Sequence, residues 1–471
     1  MKSKTEQLNS IKNPFGIRDK IGYLFGDFGN DFTFLLASGY LFIFYTKVLG
    51  IGAGVVGTMF VVARFVDAFT DVGMGHICDS SKMTKNGRFR PWIKRMSLPV
   101  VLASLLMYNP FIVDWSYNAK ITYMFITYIL WGSVFYTSIN IPYGSMASVI
   151  TQDVSERASL SIFRTLGAIS AGLLIGVFTP LMIYVEGDNG IAVSGERFFF
   201  IALIFGILAF IAYGICFKMT TERVEIKITS KTKQNNIISD LKFLIKDRAF
   251  IIVISSALLT LIAVLSGATL NQYLFLDYFG NTKLLPFVSL TMTIGMLSIA
   301  PFASRISKEV GKKEASAVAL LITGVIYLLI YVLQIKNPLI YIGLITLGFV
   351  GMGYYSMVSW AYLTDVIDNY QLKTGKRKDG TVYAVYSFAR KVGQGLAAGI
   401  GGWTLAIIGY DEIALTQSKS VQNGIFTVAM LVPAVCYIAT ALLLFFVYPL
   451  SKKKVAENQK KIEHLMKVIE E

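Results

Sequence analysis

The stretch "ARFVDAFTDVGMG" places Asp67 and Asp71 one helical turn apart, with Arg64 just before them. The spacing i, i+3, i+7 puts all three on one face of a helix. Their flanks are apolar, so the two carboxylates share a low-dielectric environment and repel each other. A shared proton or a bound cation relieves that repulsion. Oxygen ligands suit a hard cation such as Na⁺, by analogy with Ca²⁺ and Mg²⁺. Asp67 and Asp71 are therefore candidate metal ligands if Na⁺ is the ion, and candidate proton carriers if H⁺ is. Thr70 and Thr137 offer further oxygens. The same charges also fit a simpler task, in which Asp67 and Asp71 neutralise Arg64 and Lys391 and lock helices together.

Other ionisable residues interrupt apolar runs in the same way: Asp27 and Asp31, Arg164, and Arg390 with Lys391. Such a residue deep in a membrane span costs at least about 2.5 kcal/mol and marks function. Four acids (27, 31, 67, 71) face four bases (64, 164, 390, 391), the balance that buried pairing requires, although the count does not say which pairs with which. In "GDFGNDF", Asp27, Asn30 and Asp31 share a face whose acceptors suit sugar hydroxyls; Asp27 fits equally the closing of a gate against a basic residue. "YTSINIPYGS" carries Tyr136, Thr137 and Asn140, a kinking Pro142 and a small Gly144, and reads either as a site or as packing glue. Trp360 and Tyr355 could stack on a sugar ring, but the core is the favoured place for both.

These residues need long apolar helices to hold them. The 471-residue chain is 54% hydrophobic and 15% charged, with mean hydropathy +0.59; a soluble chain carries about 25% charged residues. Twelve spans are expected at 20–48, 51–77, 92–113, 119–147, 158–185, 197–217, 249–278, 284–304, 315–335, 338–366, 381–409 and 422–449, each long enough for a core of roughly 30 Å. The polar stretch 218–248 divides them six and six. The fold expected is an all-α polytopic membrane protein of the major facilitator type. Residues 1–217 form a first six-helix bundle, 218–248 a cytoplasmic connector, 249–449 a second bundle and 450–471 a basic tail. A Gly followed by basic residues recurs after spans 2 and 8, in "DSSKMTKNGRFRPW" and "SRISKEVGKKEAS". That echo points to repeated halves with a site at the midplane between them.

The net charge of +15 would suggest nucleic acid on a soluble chain. Here the basic residues cluster in alternate loops, so the charge reads as topology, with both termini cytoplasmic in the cell membrane. Residues 1–18 are polar and carry no cleavable signal. The three cysteines lie in or beside apolar segments as packing residues, and the two distant histidines suggest no His-based metal site. No nucleophile–base constellation points to an enzyme, and no cofactor is expected.

The motifs "KIGYLFGDFGNDF", "ARFVDAFTDVGMG", "NGRFRPW", "NIPYGSMA", "YLTDVIDNY" and "YSFARKVGQ" cover nearly the whole chain. Together they resemble the glycoside–pentoside–hexuronide:cation symporter family, which includes the melibiose permease and the glucuronide and xyloside carriers. The resemblance implies a cation site at Asp67 and Asp71, with Thr137, Thr70 and Lys391. It implies a sugar site in which Asp31 and Arg164 hydrogen-bond hydroxyls, the carboxylate accepting and the guanidinium donating, and Asp27, Asn30, Tyr136, Asn140, Ser387 and Arg390 are added as substrate-binding candidates. Arg64 balances charge. Gly75, Asp79, Gly87, Arg88 and Arg90 fit the general facilitator gate-loop pattern. Asn140 and Gly144 replace an Asp and a Trp of the melibiose permease, and "NIPYGS" and "ARK" are similar to the glucuronide and xyloside branch. The function expected is symport of a glycoside, pentoside or hexuronide with Na⁺ or H⁺, by a chain acting as a monomer in the bilayer. An uncoupled facilitator or an exporter is the alternative.

Overall fold

The computed structural model describes residues 14–81, 83–187, 190–224, 246–375 and 379–470. The chain divides into two compact units, Met1–Ser230 and Lys231–Glu471. In the first, α1 (Ile17–Ile43), α2 (Ala53–Ser80), α3 (Arg90–Met107), α4 (Tyr117–Ile150), α5 (Val154–Ile183) and α6 (Gly195–Met219) follow in order. Between α5 and α6 lies an antiparallel pair of strands, β1 (Tyr184–Gly187) against β2 (Gly190–Val193), with Tyr184 opposite Val193.

The second unit runs α7 (Arg248–Tyr273), α8 (Leu285–Ser298), α9 (Ala300–Glu309), α10 (Lys312–Val332), α11 (Pro338–Thr374), α12 (Asp379–Ile407), α13 (Lys419–Leu442) and α14 (Lys452–Glu470). The chain bends by 41° between the segment ending in α8 and α9, where Pro301 removes a backbone donor near the start of α9.

Helices dominate because a bilayer leaves backbone N–H and C=O groups no partner but each other. Among the described residues, eight helices are long and apolar enough to cross a membrane, or nine if the bent pair is one span. This is a helical multi-pass membrane protein. Of the twelve expected spans, those at 20–48, 92–113 and 381–409 correspond to α1, α3 and α12, which fall outside that set. All three carry ionisable residues in the helix: Asp27 and Asp31, Lys94 and Arg95, Arg390 and Lys391.

Close helix approach sets the positions of the charges. On α5, a side chain at Gly167 would sit 2.5 Å from the Leu24 carbonyl oxygen of α1. Only a glycine permits this spacing, and it brings Asp27 and Arg164 within reach of each other. The beginning of the expected connector at 218–248 packs onto the first unit. Thr220 is buried, the Arg223 and Val224 N–H groups donate to the Val149 carbonyl at 2.7 and 2.9 Å, and Arg223 grips Asp19 with both Nη atoms at 3.0 and 2.7 Å. Docking follows because Asp19 is itself buried and needs a cation. The remainder of that stretch, 225–245, lies outside the described residues, as do 1–13, Lys82 and 376–378 of the basic loops.

Candidate functional site

The α2 acids have different surroundings. Asp67 is 5% exposed. One of its oxygens accepts from Arg64 Nη1 at 3.0 Å and the other from the Ser133 hydroxyl at 2.5 Å. Arg64 also lies 5.7 Å from the Phe34 ring centroid, which ties it to α1. Asp71 is less buried, and its Oδ1 accepts from the Thr137 hydroxyl at 2.9 Å. Each hydroxyl lies 66 residues after its acid. The result is two rungs between α2 and α4, one turn apart on both helices. Ser133 sits in a π-helical segment of α4, Leu130–Tyr136, a wider turn that recurs at functional sites. Thr70 is directed elsewhere: its hydroxyl donates to the Asp67 carbonyl of its own helix at 3.2 Å.

The α1 acids are also divided. Asp27, 6% exposed, accepts from Arg164 Nε at 2.9 Å. The guanidinium lies 5.5 Å from the Tyr143 ring centroid, and the Arg164 side chain is 44% exposed. Among the described residues its two Nη groups make no hydrogen bond, so they remain available donors. Asp31, one turn along, is partly exposed and has no hydrogen bond among the described residues. Its carboxylate is an open acceptor. Asn30 is 1% exposed and bonded on both sides of its amide, accepting from the Tyr213 hydroxyl at 2.9 Å and donating to Asn140 at 3.4 Å. It brackets α1, α4 and α6. Tyr136 stacks on Phe34 at 5.5 Å. An added side-chain carbon at Gly144 would meet nothing within 4 Å.

In the second unit, Arg390 lies 5.7 Å from the Trp360 ring centroid and 5.8 Å from that of Tyr386, while Trp360 stacks on Tyr383. Trp360 is 45% exposed and Tyr355 is 4% exposed, so the favoured core assignment fits Tyr355 and not Trp360. Ser387 is exposed and Lys391 partly so; Lys391 points about 100° around α12 from Arg390.

In the gate loop, Gly87 takes φ +98°, in the region that favours glycine. Its turn presents the backbone N–H groups of Arg88, Phe89 and Arg90 to Glu222, whose carboxylate accepts them at 2.7, 2.9 and 2.7 Å. The Arg90 guanidinium donates to the Phe217 carbonyl. Gly75 lies in open space on α2; the Asp79 side chain is outside the described residues.

Sequence reasoning missed Ser133, Glu222, and the buried Asp365, which pairs with Lys312 at 2.5 Å. Ser133 lies four residues before Thr137, repeating the Asp67–Asp71 step, and that echo was its signal. Asp365 was visible as an acid in an apolar run. Glu222 sits in a polar stretch with nothing to distinguish it.

Ionisable groups held inside membrane-length helices, some paired and some open, mark a functional site, and together with the family match they make the protein a multi-pass membrane transporter and not an enzyme. The chain belongs to the family described as MFS/sugar transport protein, which matches residues 22–452. It is 29% identical to the glucuronide carrier protein homolog of Escherichia coli (strain K12), over 96% of each chain. It is also 29% identical to a putative 2,3-dihydroxypropane-1-sulfonate exporter of the same strain, over 98% of each. The crystal structure of a D-xylose-proton symporter shares the fold, with TM-score 0.57, 14% identity, and coverage of 94% of this chain and 98% of that one.

Proposed function

We propose that the chain is a sugar symporter that brings a glycoside, pentoside or hexuronide into the cell with Na⁺ or H⁺. The observation that carries this reading is the division of labour among the four acids of α1 and α2. Arginine closes Asp27 and Asp67. Asp31 keeps an open carboxylate beside the free donors of Arg164, a combination that suits sugar hydroxyls. Asp71, whose carboxylate accepts from the Thr137 hydroxyl of α4, is the acid we assign to the coupling ion, with Thr137 as its neighbour. Asp67 then serves as fixed charge balance for Arg64. Lys391 keeps its assignment by resemblance alone, and Ser387 and Arg390 stay substrate-binding candidates from the sequence.

The nine apolar spans together with α1, α3 and α12 make a count of twelve. The basic loops favour a topology with both termini in the cytoplasm, in a bacterial inner membrane. The proposed cycle is alternating access, in which cation and sugar bind together before the site reopens. Coupling is reciprocal, so sugar tightens cation binding by the factor that cation tightens sugar.

Uptake of labelled glucuronides, xylosides and galactosides into energised vesicles tests the reading, with and without Na⁺ and with a protonophore. Asp71→Asn abolishes uphill accumulation while exchange down a gradient persists. Normal uphill uptake by Asp71→Asn overturns the assignment. The similarity to a putative exporter favours a second reading, outward transport, and the same vesicles in both orientations separate the two.

A further inference from the structure

The first unit contains a cavity of about 550 Å³ that none of the proposed transport residues lines. It lies where α3 begins and α6 ends, lined by the turn residues 84–86, by Pro91, Lys94 and Arg95 of α3 and by Phe217 of α6. The volume falls in the range of roughly 300–1,000 Å³ typical of ligand pockets. Three of its wall residues are cations and none is an acid. Lys94 Nζ stands 5.7 Å from the Phe217 ring centroid. Among the described residues, Lys85, Lys94 and Arg95 make no ion pair, and all three are exposed. The carboxylate closest to this loop in the bonding pattern, Glu222, accepts three backbone N–H groups and does not line the cavity.

The helix above the cavity changes character abruptly. The charges of α3 end at Arg95. Leu98, Leu102 and Leu106 follow at i+3, i+7 and i+11 from Arg95, on the same face, and are 52%, 51% and 44% exposed. A cationic cavity therefore opens at the foot of an exposed leucine ridge. A soluble phosphate would use the cations and leave the ridge idle, whereas a lipid would use both. Basic pockets at the cytoplasmic ends of membrane helices take anionic headgroups.

We propose that this cavity holds the phosphate headgroup of an anionic membrane phospholipid, with its acyl chains along Leu98, Leu102 and Leu106. The site is separate from the acids of α1 and α2 and stands whichever sugar or ion is carried.

The test uses the purified, delipidated full-length protein. Short-chain phosphatidylglycerol, phosphatidylcholine and glycerol 3-phosphate are titrated separately. Retained lipid is read by native mass spectrometry and stabilisation by the unfolding midpoint. Phosphatidylglycerol is expected to bind and the other two to bind at least about tenfold more weakly. Combined Lys85→Gln, Lys94→Gln and Arg95→Gln weakens phosphatidylglycerol by at least about tenfold, and Lys94→Glu alone reproduces most of that loss. Lys453→Gln with Lys454→Gln, in the basic tail, leaves binding unchanged. Equal retention of phosphatidylcholine, or no loss in both cavity variants, overturns the proposal. Glycerol 3-phosphate binding as tightly as the lipid overturns it too, in favour of a soluble anion.

Discussion

The acid pairs of α1 and α2 look alike in the sequence and are used differently in the fold. Each pair has one member closed by an arginine, Asp27 by Arg164 from another helix and Asp67 by Arg64 from its own. The arginines differ in what they can still do. Arg64 is partly buried, with a side chain 15% exposed and set over Phe34, whereas the Arg164 side chain is 44% exposed with donors to spare. The second members differ as well. Asp71 meets a hydroxyl, and Asp31 meets no hydrogen-bond donor among the described residues. On the proposed reading, the α2 pair therefore splits into a counter-charge for Arg64 at Asp67 and an ion ligand at Asp71. On the same reading, the α1 pair offers the open Asp31 carboxylate and the exposed Arg164 guanidinium to a larger, hydroxyl-bearing substrate. Identical spacing carries two chemistries because the neighbouring helices supply different partners.

The largest effect expected from breaking this contrast is at Asp67. Asp67→Asn leaves Arg64 partly buried and uncompensated, a loss of about 3–5 kcal/mol for a broken buried pair. Thermal unfolding in detergent should show a marked fall in midpoint. Adding Arg64→Gln should recover most of it, because removing both charges removes the penalty. If the single variant is as stable as the parent, Asp67 is not a structural counter-charge and belongs with Asp71 as an ion ligand.

Asp31→Asn comes next, and its effect falls on substrate. Hydrogen bonds to a charged group contribute about 1.5–3 kcal/mol, so the sugar half-saturation should rise about 10- to 100-fold while the unfolding midpoint stays put. Asp27→Asn moves both, since it frees Arg164 from its anchor. Equal behaviour of the two variants would erase the distinction between the open and the closed acid on α1.

How much of this was legible beforehand depended on which partner each residue has. The helical periodicity and the acids inside apolar runs announced themselves, because burying a carboxylate is costly enough to be conspicuous. Asp71 with Thr137 and Asp27 with a basic residue could be anticipated from charge and spacing. The division of roles could not, since it depends on the close α1–α5 approach at Gly167 and on the π segment that carries Ser133. Local composition also concealed Glu222. A carboxylate in a polar stretch reads as solvated until the backbone donors of a distant turn are found around it.

Ser133→Ala probes the upper rung between α2 and α4. It leaves one oxygen of a buried carboxylate without its donor, at about 1–3 kcal/mol. The unfolding midpoint should drop less than for Asp67→Asn, and cation dependence should shift only slightly, because the lower rung at Asp71 is intact. A change in cation half-saturation as large as that of Thr137→Val would mean that both rungs hold the ion.

The smallest effect expected is at Thr70, which has the right residue type and position for a ligand but points its hydroxyl at the backbone of its own helix. Thr70→Val keeps the shape and removes that hydroxyl. A helix carbonyl already bonded along the chain loses little, so stability should change by no more than about 0.5 kcal/mol. The cation half-saturation should stay within about twofold, well below the tenfold that 1.4 kcal/mol represents. The measurement is sugar uptake against cation concentration in the same vesicles. A tenfold weaker cation response would draw Thr70 into the ligand set. The α2 ion site would then extend along its own helix, and the contrast with α1 would rest on three oxygen donors of α2 instead of on Asp71 and its partner from α4.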